Sequence, residues 1–177
     1  MIVEPTHLDG LMLIRGEPSA DPRGHFVRLW CQQTFACHGL SFQPLQISAS
    51  FNRRKGTLRG MHWQEEPHAE TKLVRASRGR VFDVAVDLRP GSPSHGRWLG
   101  IELDAGLMNA LLIPAGFAHG FITLTDESEV TYCIDTPFAP ASGRGARFDD
   151  PALGIAWPLA PVVISDRDLA WAPLDPA

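Results

Sequence analysis

Leu45-Gln46-Ile47-Ser48-Ala49-Ser50-Phe51-Asn52 alternates residue by residue. Leu45, Ile47, Ala49 and Phe51 fall on one side, and Gln46, Ser48, Ser50 and Asn52 on the other. Successive side chains of a strand point to opposite faces, so this is the period of a half-buried β-strand. The next stretch, Gly56-Thr57-Leu58-Arg59-Gly60-Met61-His62-Trp63-Gln64, and the following Lys72-Leu73-Val74-Arg75 read as neighbouring strands. Further strands are predicted over Leu11–Arg15, His25–Trp30, Thr71–Ala76, Arg80–Leu88, Trp98–Leu103, Asn109–Ile113, Gly120–Leu124 and Glu129–Ile134. Turn signals separate them, including Asp21-Pro22-Arg23-Gly24, Arg78-Gly79, Pro90-Gly91-Ser92-Pro93, Asp104-Ala105-Gly106 and Pro114-Ala115-Gly116. Many short strands at this spacing predict an all-β sandwich or barrel. One short helix is predicted over Cys31–His38, closed by Gly39, and the proline-rich tail from Asp149 is expected to wrap the surface with little helix.

The 177 residues suit one domain, spanning 1–177, with a substantial core. Hydrophobic residues make up 44% and charged residues 20%, with a formal net charge of −4. That balance argues against general nucleic-acid binding, which needs clustered lysine and arginine. Cys31, Cys37 and Cys133 cannot all pair with one another and match no zinc-binding spacing. Reduced thiols in a cytoplasmic protein are the expectation. No signal peptide pattern and no run of membrane-spanning length is seen.

The residues that carry chemistry cluster in a few segments. His62 lies beside Arg59 and Gly60, where the glycine permits close backbone approach and the arginine offers a planar fork for phosphate. Histidine suits proton removal near neutral pH. If Leu73 faces the core, Lys72 faces the other way, and an inward lysine needs an anion or a developing negative charge. His119 stands in Ala118-His119-Gly120, and Tyr132 is the one tyrosine in the chain. In Val81–Leu88, Asp83, Ala85 and Asp87 share one face and Phe82, Val84, Val86 and Leu88 the other; alternation alone does not say which face is wet. A base, a fixed cation and an opposing weak acid form a kit for removing a proton beside a ketone and returning one to the other side. His62, His68, Glu70 and His119 resemble a scattered set of metal ligands, but Trp63-Gln64 stands where a second ligand is expected and Lys72 adds like charge, so no metal is expected. No glycine-rich nucleotide loop follows a strand.

The motifs Asp21-Pro22-Arg23-Gly24-His25-Phe26, Gly56–His62, Lys72–Arg75, Asp83–Arg89, Ile113–Phe121, Asp149-Asp150-Pro151 and Ser165-Asp166-Arg167-Asp168 resemble those of the dTDP-4-dehydrorhamnose 3,5-epimerases and relatives acting on other nucleotide-linked 4-keto-6-deoxy sugars. The likeness runs from about Leu11 to Leu174. It implies a cupin-type jelly roll, a homodimer in which N-terminal strands cross to the partner, and no cofactor or metal. It implies His62 as general base with Asp168 as its partner, Tyr132 as the acid on the opposite face, and Lys72 beside the enolate oxygen. Arg59 and Arg23 would hold the diphosphate, Arg23 from the second subunit. His119 and Arg167 would line the sugar and nucleotide site, with Phe26, Gln46 and Phe138 as further substrate contacts and Asp83 supporting a histidine.

Several positions depart from the family pattern. Arg28 stands where glutamate is typical, Ser48 where asparagine is expected, Phe138 where a tyrosine stacks on thymine, and Gly143 where an acidic residue is common. These changes fall on the nucleotide side, so a CDP-linked sugar is the expected variant. A keto-isomerase on the same substrates and a non-catalytic nucleotide-sugar-binding cupin are the alternatives.

Overall fold

A computed structural model describes residues 1–174. In chain order its strands are β1 (Ile2–Pro5), β2 (Met12–Arg15), β3 (Ser19–Asp21), β4 (Gly24–Phe26), β5 (Gln46–Asn52), β6 (Leu58–Gln64), β7 (Lys72–Arg78), β8 (Arg80–Asp87), β9 (Trp98–Asp104), β10 (Asn109–Ile113), β11 (Phe117–Thr123), β12 (Ser128–Ile134) and β13 (Gly143–Gly145). The α-helices are α1 (Gln32–Cys37) and α2 (Asp166–Leu169), and Pro140–Ser142 forms a short 3-10 turn. One antiparallel sheet has the order β1-β2-β10-β7-β12-β5 and a second the order β13-β6-β11-β8-β9, while β3 and β4 form a separate hairpin. The two sheets pack face to face in a cupin-type jelly roll.

Alternation along the strands sorts the residues into three apolar layers. Leu11, Val74, Val81, Ala85, Leu111, Phe117, Phe121 and Val130 fill the space between the sheets. Behind the first sheet, Phe35 and Phe42 cover Ile14, Leu73, Ala110 and Leu112, with Trp30 edge-on to Phe35 at 6.5 Å. Behind the second, Leu153 and Ala146 cover Met61, Val84, Val86 and Ala118, joined by Ile155 and Trp157. The proline-rich tail is therefore the outer cover of the second sheet.

The strand predicted over His25–Trp30 is shorter than expected. It ends at Phe26, because the chain leaves the β3–β4 hairpin there and Trp30 turns in to pack under α1. The alternation in Leu45–Asn52 holds, but its orientation is the unusual one: Leu45, Ile47 and Phe51 are exposed, and Asn52 is buried. β5 is the edge strand, and its polar side turns inward toward a cavity. In β8 the side with Val81, Asp83, Ala85 and Asp87 faces inward and is fully buried.

β6 and β11 approach unusually closely. Gly60 adopts φ +133, and a Cβ on it would lie 2.5 Å from the Cα of Gly120. The pairing register shifts between His119 and Phe121 and sets His119 opposite His62. At the end of β8, the buried Asp87 carboxylate accepts from Arg89 Nη2 at 2.7 Å, Ser92 Oγ at 2.5 Å and Ser94 Oγ at 2.6 Å. Burial opposes its charge, but these hydrogen bonds outweigh burial and hold the carboxyl well below the usual carboxylate range.

A carboxyl lowered in the folded state adds stability above its unfolded pKa, and that stability is lost as pH falls. Asp87→Asn is expected to destabilise the protein by about 3 kcal/mol at pH 7, because it breaks a buried charged network. The deficit relative to wild type should hold level from pH 7 to about pH 5 and shrink from there to pH 3. Urea unfolding across that range checks both statements.

Candidate active site

A cavity of about 580 Å³ opens between the two sheets. β6 contributes Arg59 and His62, β11 contributes His119 and Phe121, β7 contributes Lys72, β12 contributes Tyr132, and β5 contributes Ser48 and Ser50. Residues 163–168 of the tail close one side with Arg167 and Asp168. Seven of the residues expected at the site thus share one hollow. His62 and Tyr132 reach it from different sheets.

The tail is anchored where β6 begins. Val163 bridges Thr57 in parallel, and Leu58 N donates to Val163 O at 2.8 Å. Ser165 then caps α2, its hydroxyl accepting from Asp168 N at 3.1 Å. This carries Asp168, 106 residues away in sequence, to within 2.6 Å of His62 Nε2. Burial would raise the Asp168 carboxyl, but the hydrogen bond and charge of His62, with the Gly60 N–H behind them, lower it. An ionised carboxylate only accepts, so Nε2 carries the proton and Nδ1 is the nitrogen left to act as a base.

Tyr132 is governed mainly by burial, which pushes its phenol far above the ordinary range; the nearby Asp83 charge adds to this and Arg59 opposes it. The phenol therefore stays protonated throughout the neutral range. Its ring lies edge-on to His119, with centroids 5.9 Å apart. His119 Nε2 is held by the fully buried Asp83 at 2.8 Å, so Asp83 does support a histidine. Lys72, buried at the cavity wall, pairs with Glu70 at 2.7 Å. Arg59 Nε donates to Asn52 Oδ1 at 2.8 Å, and the Arg167 guanidinium stacks on Trp171 at 5.4 Å. A base, a neutral acid and a cation around one cavity can remove a proton beside a carbonyl, stabilise the oxyanion and return a proton.

The remaining expected contacts lie elsewhere in this chain. Arg23 and Phe26 sit on the β3–β4 hairpin, where the Arg23 side chain is 90% and Phe26 74% exposed. Gln46 is at the start of β5, and Phe138 is exposed on the loop after β12; neither lines the cavity. Sequence reasoning gave no role to Asn52 and treated Glu70 only as a metal ligand. The signal for Asn52 was its place on the inward side of β5, with Ser48 and Ser50. Of the four candidate ligands, His62, His119 and Glu70 each have another partner, and His68 bonds Ser142 Oγ at 2.9 Å. Among the described residues no helix is long and apolar enough to cross a membrane.

The family model described as dTDP-4-dehydrorhamnose 3,5-epimerase matches residues 5–175. The chain belongs to this family. It is 42% identical to the dTDP-4-dehydrorhamnose 3,5-epimerase of Methanothermobacter thermautotrophicus, over 96% of this chain and 92% of that protein. Its structure is similar to that of the Bacillus anthracis enzyme of the same name with TDP and PPi bound, with TM-score 0.94, 34% identity, and coverage of 98% of this chain and 99% of the other. It is also similar to the Legionella pneumophila dTDP-6-deoxy-D-glucose-3,5-epimerase in complex with dTDP-4-keto-L-rhamnose, with TM-score 0.90, 35% identity, and coverage of 96% and 90%. These relatives are isomerases.

Asp168→Asn should leave the fold intact yet misdirect the imidazole proton, lowering turnover by about 10²-fold. Steady-state rates beside circular dichroism spectra check this, and a variant within twofold of wild type would remove Asp168 from the orienting role.

Proposed function

We propose that this protein epimerises a nucleotide-diphosphate 4-keto-6-deoxy sugar at C3 and C5, with the dTDP-linked sugar as substrate. The observation that carries the reading is the pairing of a carboxylate-held imidazole, His62, with a protonated phenol, Tyr132, from different sheets around one cavity. Both C3 and C5 are alpha to the C4 ketone, so one base and one acid serve both centres. His62 Nδ1 takes the proton, and the electrons of the C–H bond move into an enolate. Lys72 faces the negative charge that grows on the C4 oxygen. Tyr132 donates its proton to the opposite face of the same carbon, the enolate collapses to the ketone, and the centre is inverted. His62 and Tyr132 then exchange protons with solvent.

Arg59 and Arg167 suit the diphosphate because they present planar, permanently charged forks at the cavity. Arg23 and Phe26 are assigned to the cavity of a second protomer, and Gln46 and Phe138 to its rim. What supports a homodimer with N-terminal exchange is the exposed hairpin bearing Arg23, together with the outward apolar side of edge strand β5, where Ile47 is 70% exposed. A bare apolar edge invites pairing. Light scattering should give twice the 19.4 kDa chain mass, and Ile47→Asp should shift it toward the monomer. A monomeric wild type removes the dimer.

The names of the relatives favour a thymine nucleotide. Phe138 keeps a stacking face without a phenolic donor, which keeps the CDP-linked sugar as the second reading.

Turnover in deuterium oxide with dTDP- and CDP-4-keto-6-deoxyglucose tests the whole reading. Label at C3 and C5 with inversion is expected from the dTDP sugar. Label at one carbon restricts the enzyme to that centre, ketone migration indicates an isomerase, and no label indicates a binding protein. His62→Ala should lower exchange by about 10²–10⁴-fold, the range for loss of a general base. Tyr132→Phe should keep much of the exchange while losing inversion. Inversion at the native rate in that variant removes the acid assignment.

A further inference from the structure

The geometry points to Glu70 as a positioning residue that sets where the Lys72 ammonium stands, and so sets the strength of the oxyanion site. This inference rests on the epimerase reading above. Lys72 is the first residue of β7, a central strand, and its side chain is only 10% exposed. An ammonium so poorly hydrated needs an anion close by. Glu70 Oε1 is that anion, 2.7 Å from Lys72 Nζ, and the Glu70 side chain is itself 9% exposed. Glu70 does not line the cavity, whereas Lys72 does. The carboxylate therefore grips the ammonium from behind the wall.

Glu70 is not free to turn toward a substrate. Its second oxygen accepts from Gln64 Nε2 at 3.0 Å. Gln64 is buried and fixed in turn: Nε2 also donates to His68 O at 3.0 Å, and Oε1 accepts from Ala139 N at 2.7 Å. A chain of hydrogen bonds thus runs from the loop after β12 through Gln64 and Glu70 to Lys72. An ammonium has three donors; Glu70 takes one, and the others remain for an oxygen in the cavity. That oxygen carries a full negative charge only in the enolate. Misplacing the ammonium should therefore weaken transition-state binding more than ground-state binding.

The test is a cycle of Glu70→Gln, Lys72→Met and the double variant, with the dTDP sugar and the deuterium exchange readout, each variant first checked by thermal melting. Glu70→Gln keeps the shape and removes the charge. It should lower kcat by about 30-fold, within the range seen when a transition-state donor is misplaced, and leave KM within twofold. In the Lys72→Met background the same change should alter kcat by less than twofold, because the group it positions is gone. Gln64→Met, which releases the other oxygen of Glu70, should give a smaller loss of kcat and stands in if Glu70→Gln fails to fold. An unchanged kcat in the single variant that is measured, or an equal loss with and without Lys72, overturns the assignment. Wild-type protein that gives no exchange overturns the epimerase reading, and this inference falls with it.

Discussion

Charged and polar groups placed between two sheets must be paired, and that constraint organises this molecule. Four of the charged or titratable side chains at the cavity are each held by a second residue. Asp168 holds His62, Asp83 holds His119, Glu70 holds Lys72, and Asn52 holds Arg59. For the buried Lys72 and the His119–Asp83 pair, loss of the partner would cost several kcal/mol of desolvation. Paired, each is fixed in position before any substrate arrives, which is what electrostatic catalysis requires. Stability and chemistry thus place the same demand on these side chains.

The pairs also explain why the fold is joined as it is. His62 and its partner lie 106 residues apart in the chain, so the tail must return to β6 and seat itself there. The Thr57–Val163 bridge and the Ser165 cap do this within residues 163–168. Close approach of β6 and β11 is the other requirement. Gly60 and Gly120 lie back to back, and a side chain on either would force the strands apart and move His62 away from His119. Covering the outer face of that sheet with Leu153, Ile155 and Trp157 fixes the tail as part of the core.

Much of this was legible in the sequence, and what was not has physical causes. Strand periods and turn residues gave an all-β fold, and His62, Lys72, His119 and Tyr132 stood out by residue type and setting. Strand phase was harder to read. Leu45–Asn52 shows period two, but the usual rule that the apolar face turns inward fails where the interior is a polar cavity. Asp83 was ambiguous for the same reason, since a carboxylate inside a barrel and one in water give the same alternation. The three-residue strands β3 and β13 have too few residues to show a period. The pairing of Asp168 with His62 rested on resemblance alone, because a contact across 106 residues has no local signature. Glu70 was hidden differently: beside histidines it reads as a ligand, and only the direction of its side chain shows it serving Lys72.

Two facing sheets also suit the stereochemistry. Strands within a sheet lie about 4.8 Å apart, so residues on one sheet approach a bound ring from one side. Packed sheets are about 10 Å apart, and bulky side chains normally fill that gap, as Phe117 and Phe121 do here. Where β5 presents Ser48 and Ser50 instead, the gap opens into a hollow of about 580 Å³. In the proposed reaction, His62 on one sheet and Tyr132 on the other would address opposite faces of the bound sugar. Inversion at carbon needs that opposition, since a group acting from one side alone returns the proton to the face it left. On that reading the small residues of the edge strand matter alongside the imidazole, because they line the room in which two faces can be reached.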